Sequence, residues 1–461
     1  MDQIYRGITI LCRTVVGALF VVSGLIKSND AVGFMYKLEE YFEPGALNME
    51  YLTPYALELA VFVCVGEILL GVALLVGALP RLVSVLTTGM MLFFTWLTWY
   101  TATCDPFGFK TITGVNGDVI TIANQCVLEC GCFGNAIPLT PTQSFYKDLI
   151  LLVFVIPILI ASFRGRIKLN STKDSFVIYT GALLMTFLFG YLMLDWNFPT
   201  LYLIFCLFAA EVTRKRLNSK YIEWLMAGSV LIVISIVQYN TLAHLPMKDY
   251  RPYAVGESII ENRKSAEELG LEAPVFANEY TYKNVSTGVD TIILSSDYLD
   301  KKLWSDETFN EKYEIVTYDG AEVLVKEGYE PRIHDFQMVN EEEEDLVDSL
   351  LSIEGYTFLH ITKDLEASNA ASQSQFNALA ESALAAGHSF YGLSNVGYDE
   401  SEDYRHNNQV PYDFLMCDQT ELKVIVRSNP GLVLLKDGFV VEKWSWRDVP
   451  TFEEVSSNII K

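Results

Sequence analysis

Half of the eight cysteines in this 461-residue chain, Cys104, Cys126, Cys130 and Cys132, fall in one loop between two apolar runs. The other four are scattered singly. Thiols gathered in this way can bridge in pairs, pass a disulfide from one pair to the other, or bind a metal. Two structural bridges would staple a loop lying outside the cytoplasm, where disulfides persist. An exchange site would work through Cys130-Gly-Cys132, because a bridge closed over one glycine is strained and so more oxidising than a structural one. One sulfur of that pair would then exchange with Cys126 or Cys104. Zinc held by four thiolates is the weaker reading, since Cys-x3-Cys-x-Cys is not a common zinc spacing, and no metal is expected.

Charged residues inside apolar runs point to a second chemistry. Arg13 sits toward the inner third of the first run and Glu67 in the middle of the second. Each would be costly in a bilayer unless paired or solvated, so the two are expected to meet, either fixing helix register or lining a proton or quinone path. Glu58, near the outer end of the second run, is placed to accept a thiol proton. Cys12, Cys64 and Cys206 lie within runs and read as small packing residues, and Cys417 as a core residue of a later domain. All five histidines follow the last run, which excludes a bis-histidine haem in the bilayer. A quinone is the one cofactor left open, and none other is evident.

The elements that must position these residues are membrane helices. Hydrophobic residues make up 51% of the chain and the mean hydropathy is +0.25, too apolar for an ordinary soluble protein. Apolar runs at 8–26, 55–79, 82–103, 145–163, 176–194, 198–212 and 221–239 predict about seven crossings, the sixth of them short. The first lacks a small-residue cleavage site and reads as a retained helix. Arg81, Arg164-Gly-Arg166-Ile-Lys168 and Arg214-Lys215-Arg216 mark alternate loops, which by the positive-inside rule face the cytoplasm together with the N-terminus. Residues 27–54, the cysteine loop and everything after 240 then lie outside, with Trp96, Trp99 and Tyr100 at the interface. A net charge of −24 argues against nucleic acid, whose phosphates need a basic patch.

From about residue 244 the composition turns charged and rich in turn formers. Alternation around 280–283, 291–294 and 313–318 predicts a small β-rich module over 244–331. Beyond 332, strands at 356–362, 390–393 and 412–416 alternate with helices at 370–386 and 420–426. A hairpin turning at Asp437-Gly438 follows. This pattern indicates an α/β domain over 332–461.

Arg13-Thr-Val-Val-Gly17, Ser23-Gly24-Leu-Ile-Lys27 and Gly66-Glu67-Ile-Leu-Leu-Gly71 resemble the DoxX family. With Cys130-Gly-Cys132-Phe-Gly134 and the segment 142–148 added, residues 1–165 are similar to the DoxX/MauE-type membrane proteins of the Bacteroidota. The resemblance implies a four-helix membrane domain over 1–165, followed by three further helices over 166–243. For the MauE branch it implies a supporting role in disulfide formation on the periplasmic side of a bacterial inner membrane. The hairpin from Ser428-Asn429-Pro430 to Trp444 resembles the C-terminal half of a thioredoxin fold, in which a cis-proline precedes the strand. Residues 364–369, the place of the thioredoxin Cys-x-x-Cys, hold no cysteine. The resemblance then implies a peptide-docking surface at Asn429, Pro430 and Trp444 without dithiol chemistry of its own.

Two functions are compatible with these residues. In one, the protein supports thiol and disulfide handling, or maturation, of exported proteins through Cys104, Cys126, Cys130 and Cys132. In the other, it is a non-catalytic scaffold or accessory subunit of an envelope secretion or assembly complex. Its partners in either case are lipid and an extracytoplasmic client or complex.

Overall fold

A computed structural model describes residues 2–105, 108–113, 119–127, 131, 133–317 and 322–460. The apolar runs fold into α1 (Asp2–Asn29), α3 (Ala56–Val76), α4 (Pro80–Ala102), α5 (Pro141–Phe163), α6 (Thr172–Met193), α7 (Phe198–Arg216) and α8 (Ile222–Ala243), with a shorter α2 (Ala31–Phe42) after α1. Among the described residues six of these, α1, α3, α4, α5, α6 and α8, are long and apolar enough to cross a membrane. Local signals set their ends. Proline opens α4 and α5, where its missing N–H is not needed. Thr140 and Gln143 form a capping box on α5, Ser171 caps α6, and Gly77 ends α3 with left-handed backbone.

α1 and α3 pack closely because glycine faces glycine. A Cβ on Gly17 would lie 3.0 Å from the Gly71 carbonyl oxygen, and one on Gly71 would lie 2.8 Å from that of Gly17. A Cβ on Gly24 would meet Ile68 at 2.7 Å and the Cys64 oxygen at 3.0 Å. Between membrane helices, where lipid is as apolar as leucine, such small residues gain close van der Waals contact. The resulting antiparallel register sets residue 17 against 71 and residue 24 against 64–68. It thereby decides which buried charges can meet.

The bundle has two distinct ends. At one, Arg6 bonds Asp174 at 2.6 Å, Arg214 donates to the Asn170 carbonyl at 2.9 Å, and the Leu79 N–H bonds the Glu223 carboxylate. These bonds gather the start of α1, α6 and α8 with the end of α7, so α7 runs between the same two ends as its neighbours. The basic residues of its last turn, Arg214, Lys215 and Arg216, lie at this end.

The opposite end carries the sheets. β1 (Phe109–Thr113) and β2 (Val119–Ala123) form a hairpin between α4 and α5. β3 (Val275–Asn284) pairs antiparallel with β4 (Asp290–Leu294), β5 (Tyr313–Thr317) and β6 (Glu322–Lys326) in a small sheet. β7 (Tyr356–Thr362), β8 (Ser389–Ser394), β9 (Phe414–Met416), β10 (Gly431–Lys436) and β11 (Phe439–Ser445) form a larger one in the order β11-β10-β7-β8-β9. β7, β8 and β9 are parallel, and the β10–β11 hairpin runs against them. Every residue of β7 is buried, between a layer holding Phe376, Leu379 and Phe390 and another holding Tyr253, Ile259 and Leu422. Tyr253 and Ile259 come from the segment that leaves α8. That segment zips onto β11 through Gly256 N–H to Val440 O (2.7 Å), Val440 N–H to Glu257 O (2.9 Å) and Ile259 N–H to Gly438 O (2.9 Å).

Candidate functional site

The register of α1 on α3 brings the last turn of α1 to the middle of α3. Lys27 Nζ lies 2.6 Å from Glu67 Oε1, with the two side chains 3% and 2% exposed. The ammonium also donates to Ser23 Oγ at 2.9 Å and stands 5.2 Å and 5.8 Å from the centres of the Phe94 and Phe34 rings. Such partners are what a buried charge requires. Glu67 Oε2 has no hydrogen-bond partner among the described residues.

A second charged pair stands beside the first. At the start of α5, Lys147 Nζ lies 3.1 Å from Asp148 Oδ1, and Asp148 Oδ2 accepts from Thr98 Oγ1 at 3.2 Å. Lys147 is within electrostatic reach of both Lys27 and Glu67. Two cations and two carboxylates therefore form one balanced, largely buried cluster at the sheet-bearing end of the bundle.

The cysteine loop is fastened over this cluster. Cys104 and Cys126 are joined in a disulfide with their Cα atoms 5.7 Å apart. The loop is pinned further by Gln125 N–H to Gly45 O at 2.8 Å, by Lys110 bonded to Ala46 O, and by burial of Val127 against Tyr41, Phe42 and Leu97. Phe133 is buried against Val22 and Ile26, and Lys147 Nζ lies 4.9 Å from its ring centre. A Cβ on Gly131 would touch Lys37 at 3.4 Å. Cys130 and Cys132 themselves lie outside the described residues. The single cysteines Cys12, Cys64, Cys206 and Cys417 are buried free thiols.

Arg13 and Glu67 are both buried but do not meet. Arg13 stands four helical turns from Lys27, about 21 Å along the axis. Its Nε donates to Leu74 O at 2.9 Å and its Nη2 to Asn170 Oδ1 at 2.7 Å, while Asn170 Nδ2 donates to Leu75 O at 2.6 Å. The last carbonyls of a helix lack intrahelical donors, and a cation there also suits the negative end of the helix dipole. Arg13 is thus a cap on α3, and Lys27 takes the place expected for it beside Glu67. Glu58 is exposed in the first turn of α3.

The domain of the large sheet reaches the same end of the bundle through α2. Asp30 caps α2 by accepting from Gly33 N–H at 2.9 Å, and it also accepts from Arg427 Nε at 2.9 Å and 3.1 Å. The Tyr36 ring centre is 4.9 Å from Lys423 Nζ, 5.4 Å from the Arg427 guanidinium and 5.7 Å from Lys363 Nζ, which donates to its hydroxyl at 3.1 Å. Burial pushes the Asp30 carboxyl up, but Arg427 and Arg251 together outweigh it and hold the group below its ordinary range. Burial pushes the Lys363 ammonium down to about 7, helped by Arg427 and Arg251.

The proline loop lies against this contact. The Asn429–Pro430 peptide is cis and Pro430 is buried. Asn429 Oδ1 accepts from Lys363 N–H at 2.9 Å and its Nδ2 donates to Asp364 O at 2.9 Å. Trp444 is half-buried against the core layer of the large sheet. Of the residues expected to present a peptide-docking surface, Pro430 is buried and Asn429 and Trp444 are half-buried; Asn429 spends its amide on the loop after β7, and Lys363 of that loop holds Tyr36. Sequence reasoning missed Asp30, Tyr36 and Arg427 here, and Lys147 in the charged cluster. The one sequence signal available was Lys27 itself, a lysine at the very end of an apolar run.

Residues 6–105 match the family described as methylamine utilisation protein MauE. No curated protein and no solved structure matches the chain. The matched stretch reaches from the first turns of α1 past the end of α4 and contains Lys27, Glu67 and Cys104. The chain is a multi-pass membrane protein, set in lipid, whose MauE-like segment carries the buried Lys27–Glu67 pair.

Proposed function

We propose that this protein supports the maturation of exported proteins by thiol–disulfide exchange at the outer face of a bacterial inner membrane, with Cys130 and Cys132 as the exchanging pair. The observation that carries the reading is the fastening of a disulfide-bridged cysteine loop over a buried cluster of two cations and two carboxylates. In the exchange, a client thiolate attacks the Cys130–Cys132 disulfide. The mixed disulfide is resolved by the client's second thiol, so the client loses two electrons and two protons and the pair becomes a dithiol. A nearby cation favours the thiolate, the leaving and attacking form, and that role is assigned to Lys147, whose ammonium lies 4.9 Å from the Phe133 ring centre in the same loop. A membrane quinone is the chemical class of acceptor that would take the electrons from the dithiol.

With Cys132 replaced by serine, Cys130 should be caught as a mixed disulfide with exported clients. The adduct would show as a reductant-sensitive band absent from a Cys130→Ser/Cys132→Ser chain. If the single variant forms no adduct and client thiols are as oxidised as with the wild type, the exchange reading fails.

The proposed orientation has seven crossings, with the N-terminus in the cytoplasm and the sheets in the periplasm, supported by the collection of Arg6, Arg81, Arg164, Arg166 and Arg214 at one end of the bundle. A membrane-impermeant thiol reagent applied from outside should label Glu267→Cys and spare Asn218→Cys. The reverse pattern would invert the protein. For the large sheet we propose a thioredoxin-like fold without its cysteine pair, supported by the strand order and by the place of Pro430 ahead of β10. Its role is to cap the bundle rather than to dock a client. The exposed apolar side chains of the small sheet, Phe276, Ile292 and Leu324 among them, favour the second reading, an accessory subunit of an envelope complex. Unimpaired client maturation by the Cys130→Ser/Cys132→Ser chain would favour that reading.

A further inference from the structure

We propose that the contact between α2 and the domain of the large sheet is a latch worked by a proton, with Lys363 as the group that gives it up and the contact tightened once it has. Lys363 follows β7 directly and is 7% exposed. Its Nζ donates to the Tyr36 hydroxyl at 3.1 Å, and among the described residues no carboxylate is bonded to it. Two further cations stand over the same ring, Lys423 Nζ at 4.9 Å and the Arg427 guanidinium at 5.4 Å from its centre, against 5.7 Å for Lys363. The charged groups that reach Lys363 from the neighbouring elements are Asp30 at the start of α2, Lys423 of the helix Gln419–Ile425, Arg427 ahead of Pro430, and Arg251 of the segment after α8. Both oxygens of Asp30 are taken by Arg427, and Glu39 of α2 is within electrostatic reach of Lys423. Lys363 is therefore the cation of this contact whose charge is least compensated.

A buried ammonium beside other cations is disfavoured against its neutral amine. The amine keeps N–H groups, so the bond to Tyr36 survives loss of the proton while the desolvation and the repulsion go. Tyr36 stays a neutral phenol, since burial pushes it up to about 12. Burial, with Arg427, Arg251 and Lys423 adding to it against Asp30, pushes the Lys363 ammonium down to about 7. A solvated lysine keeps its proton to about 10.4. Between those values the released contact binds more protons than the closed one, so closure strengthens as pH rises above about 7 and is weakest below it. Lys443 is also pushed down to about 7, by burial and by Arg251, but its bonds go to Asp249 at 2.9 Å and the Tyr253 carbonyl at 3.2 Å, in the segment after α8 rather than on α2.

The test uses the full chain in lipid nanodiscs. Amide exchange in residues 31–42 and 363–369 is divided by the intrinsic rate at each pH to give a protection factor. In the wild type that protection should rise by about ten-fold or more between about pH 6 and about pH 9, because each pH unit above the closed-state value adds up to a factor of about ten. Lys363→Met removes the titrating group and should leave the contact tight and nearly equal at both pH values. Lys363→Arg, whose charge does not titrate, should leave it loose at both. Protection of the helix Gln373–Ala385 reports the fold of the domain itself. A rise of the same size there would mean global unfolding and would sink the latch. Equal wild-type protection of 31–42 and 363–369 at both pH values overturns the proposal. So does a rise that survives in Lys363→Met, which would pass the titration to Lys443.

Discussion

Glu67→Ala should destabilise the protein by about 3–5 kcal/mol, the cost of leaving a buried charge without its partner. Lys27 would keep only Ser23 Oγ and the faces of two rings, in a place where its side chain is 3% exposed. Lys27→Met should cost about as much, since Glu67 Oε2 is already unpartnered and Oε1 would lose its donor. The double change Lys27→Met/Glu67→Met should recover most of the loss, because apolar replacement of both members removes two desolvation penalties at once. Thermal unfolding in detergent, followed by tryptophan emission, gives the comparison. If the double variant is as unstable as the two single costs added together, the residues do not act as a pair. A stable double variant that no longer oxidises clients would separate the chemistry of the pair from its structural part.

Arg427→Met should loosen the domain of the large sheet from the bundle, at a cost of about 1.5–3 kcal/mol for the lost charge-assisted bonds to Asp30. Asp30 is a quarter exposed, which keeps the cost below that of the deeper pair. The effect should depend on pH in a defined direction. The folded-state pKa of Asp30 is depressed, so its contribution is present above the unfolded value of about 3.9 and is lost as pH falls through the lower folded value. The stability gap between wild type and Arg427→Met should stay constant from about pH 6, below the titration of Lys363, to about 4 and close below that. Hydrogen exchange in residues 31–42 and 363–369 should quicken in the variant at neutral pH. Unchanged exchange in both segments would mean that the domain is held by other contacts.

The long apolar helices are legible in the sequence because length and hydropathy alone specify them. α2 is not, since a short helix bearing Lys37, Glu39 and Glu40 resembles a solvated loop until the surface it packs on is known. The partner of Glu67 was misread for a geometric reason. Depth along an apolar run suggested Arg13, whereas the glycines fix an antiparallel register in which facing residue numbers sum to about 90, the value set by residues 17 and 71. Glu67 then faces the turn that holds Ser23, and Lys27 lies one turn further on. The same register puts Arg13 opposite the closing turn of α3, where a cation is wanted. For the large sheet, the strand and helix alternation and the Asp437-Gly438 hairpin were readable from local pattern. That its proline-loop face is covered from within the chain was not, because Asp30 and Arg427 stand almost the whole chain apart.

The segment that zips onto β11 ties the large sheet to the order in which the chain is made. Residues 256–259 follow α8 directly, yet their bonding partners at 438–440 are made much later. Until those arrive, Tyr253, Ile259 and Arg251, all buried in the finished protein, stand exposed just beyond α8. A chain released short of β11 would therefore display an apolar, uncapped segment at the membrane surface, the kind of incompletely folded intermediate on which chaperones and proteases act. Pairing of β11 would then cover that segment and finish the surface of the bundle beneath it.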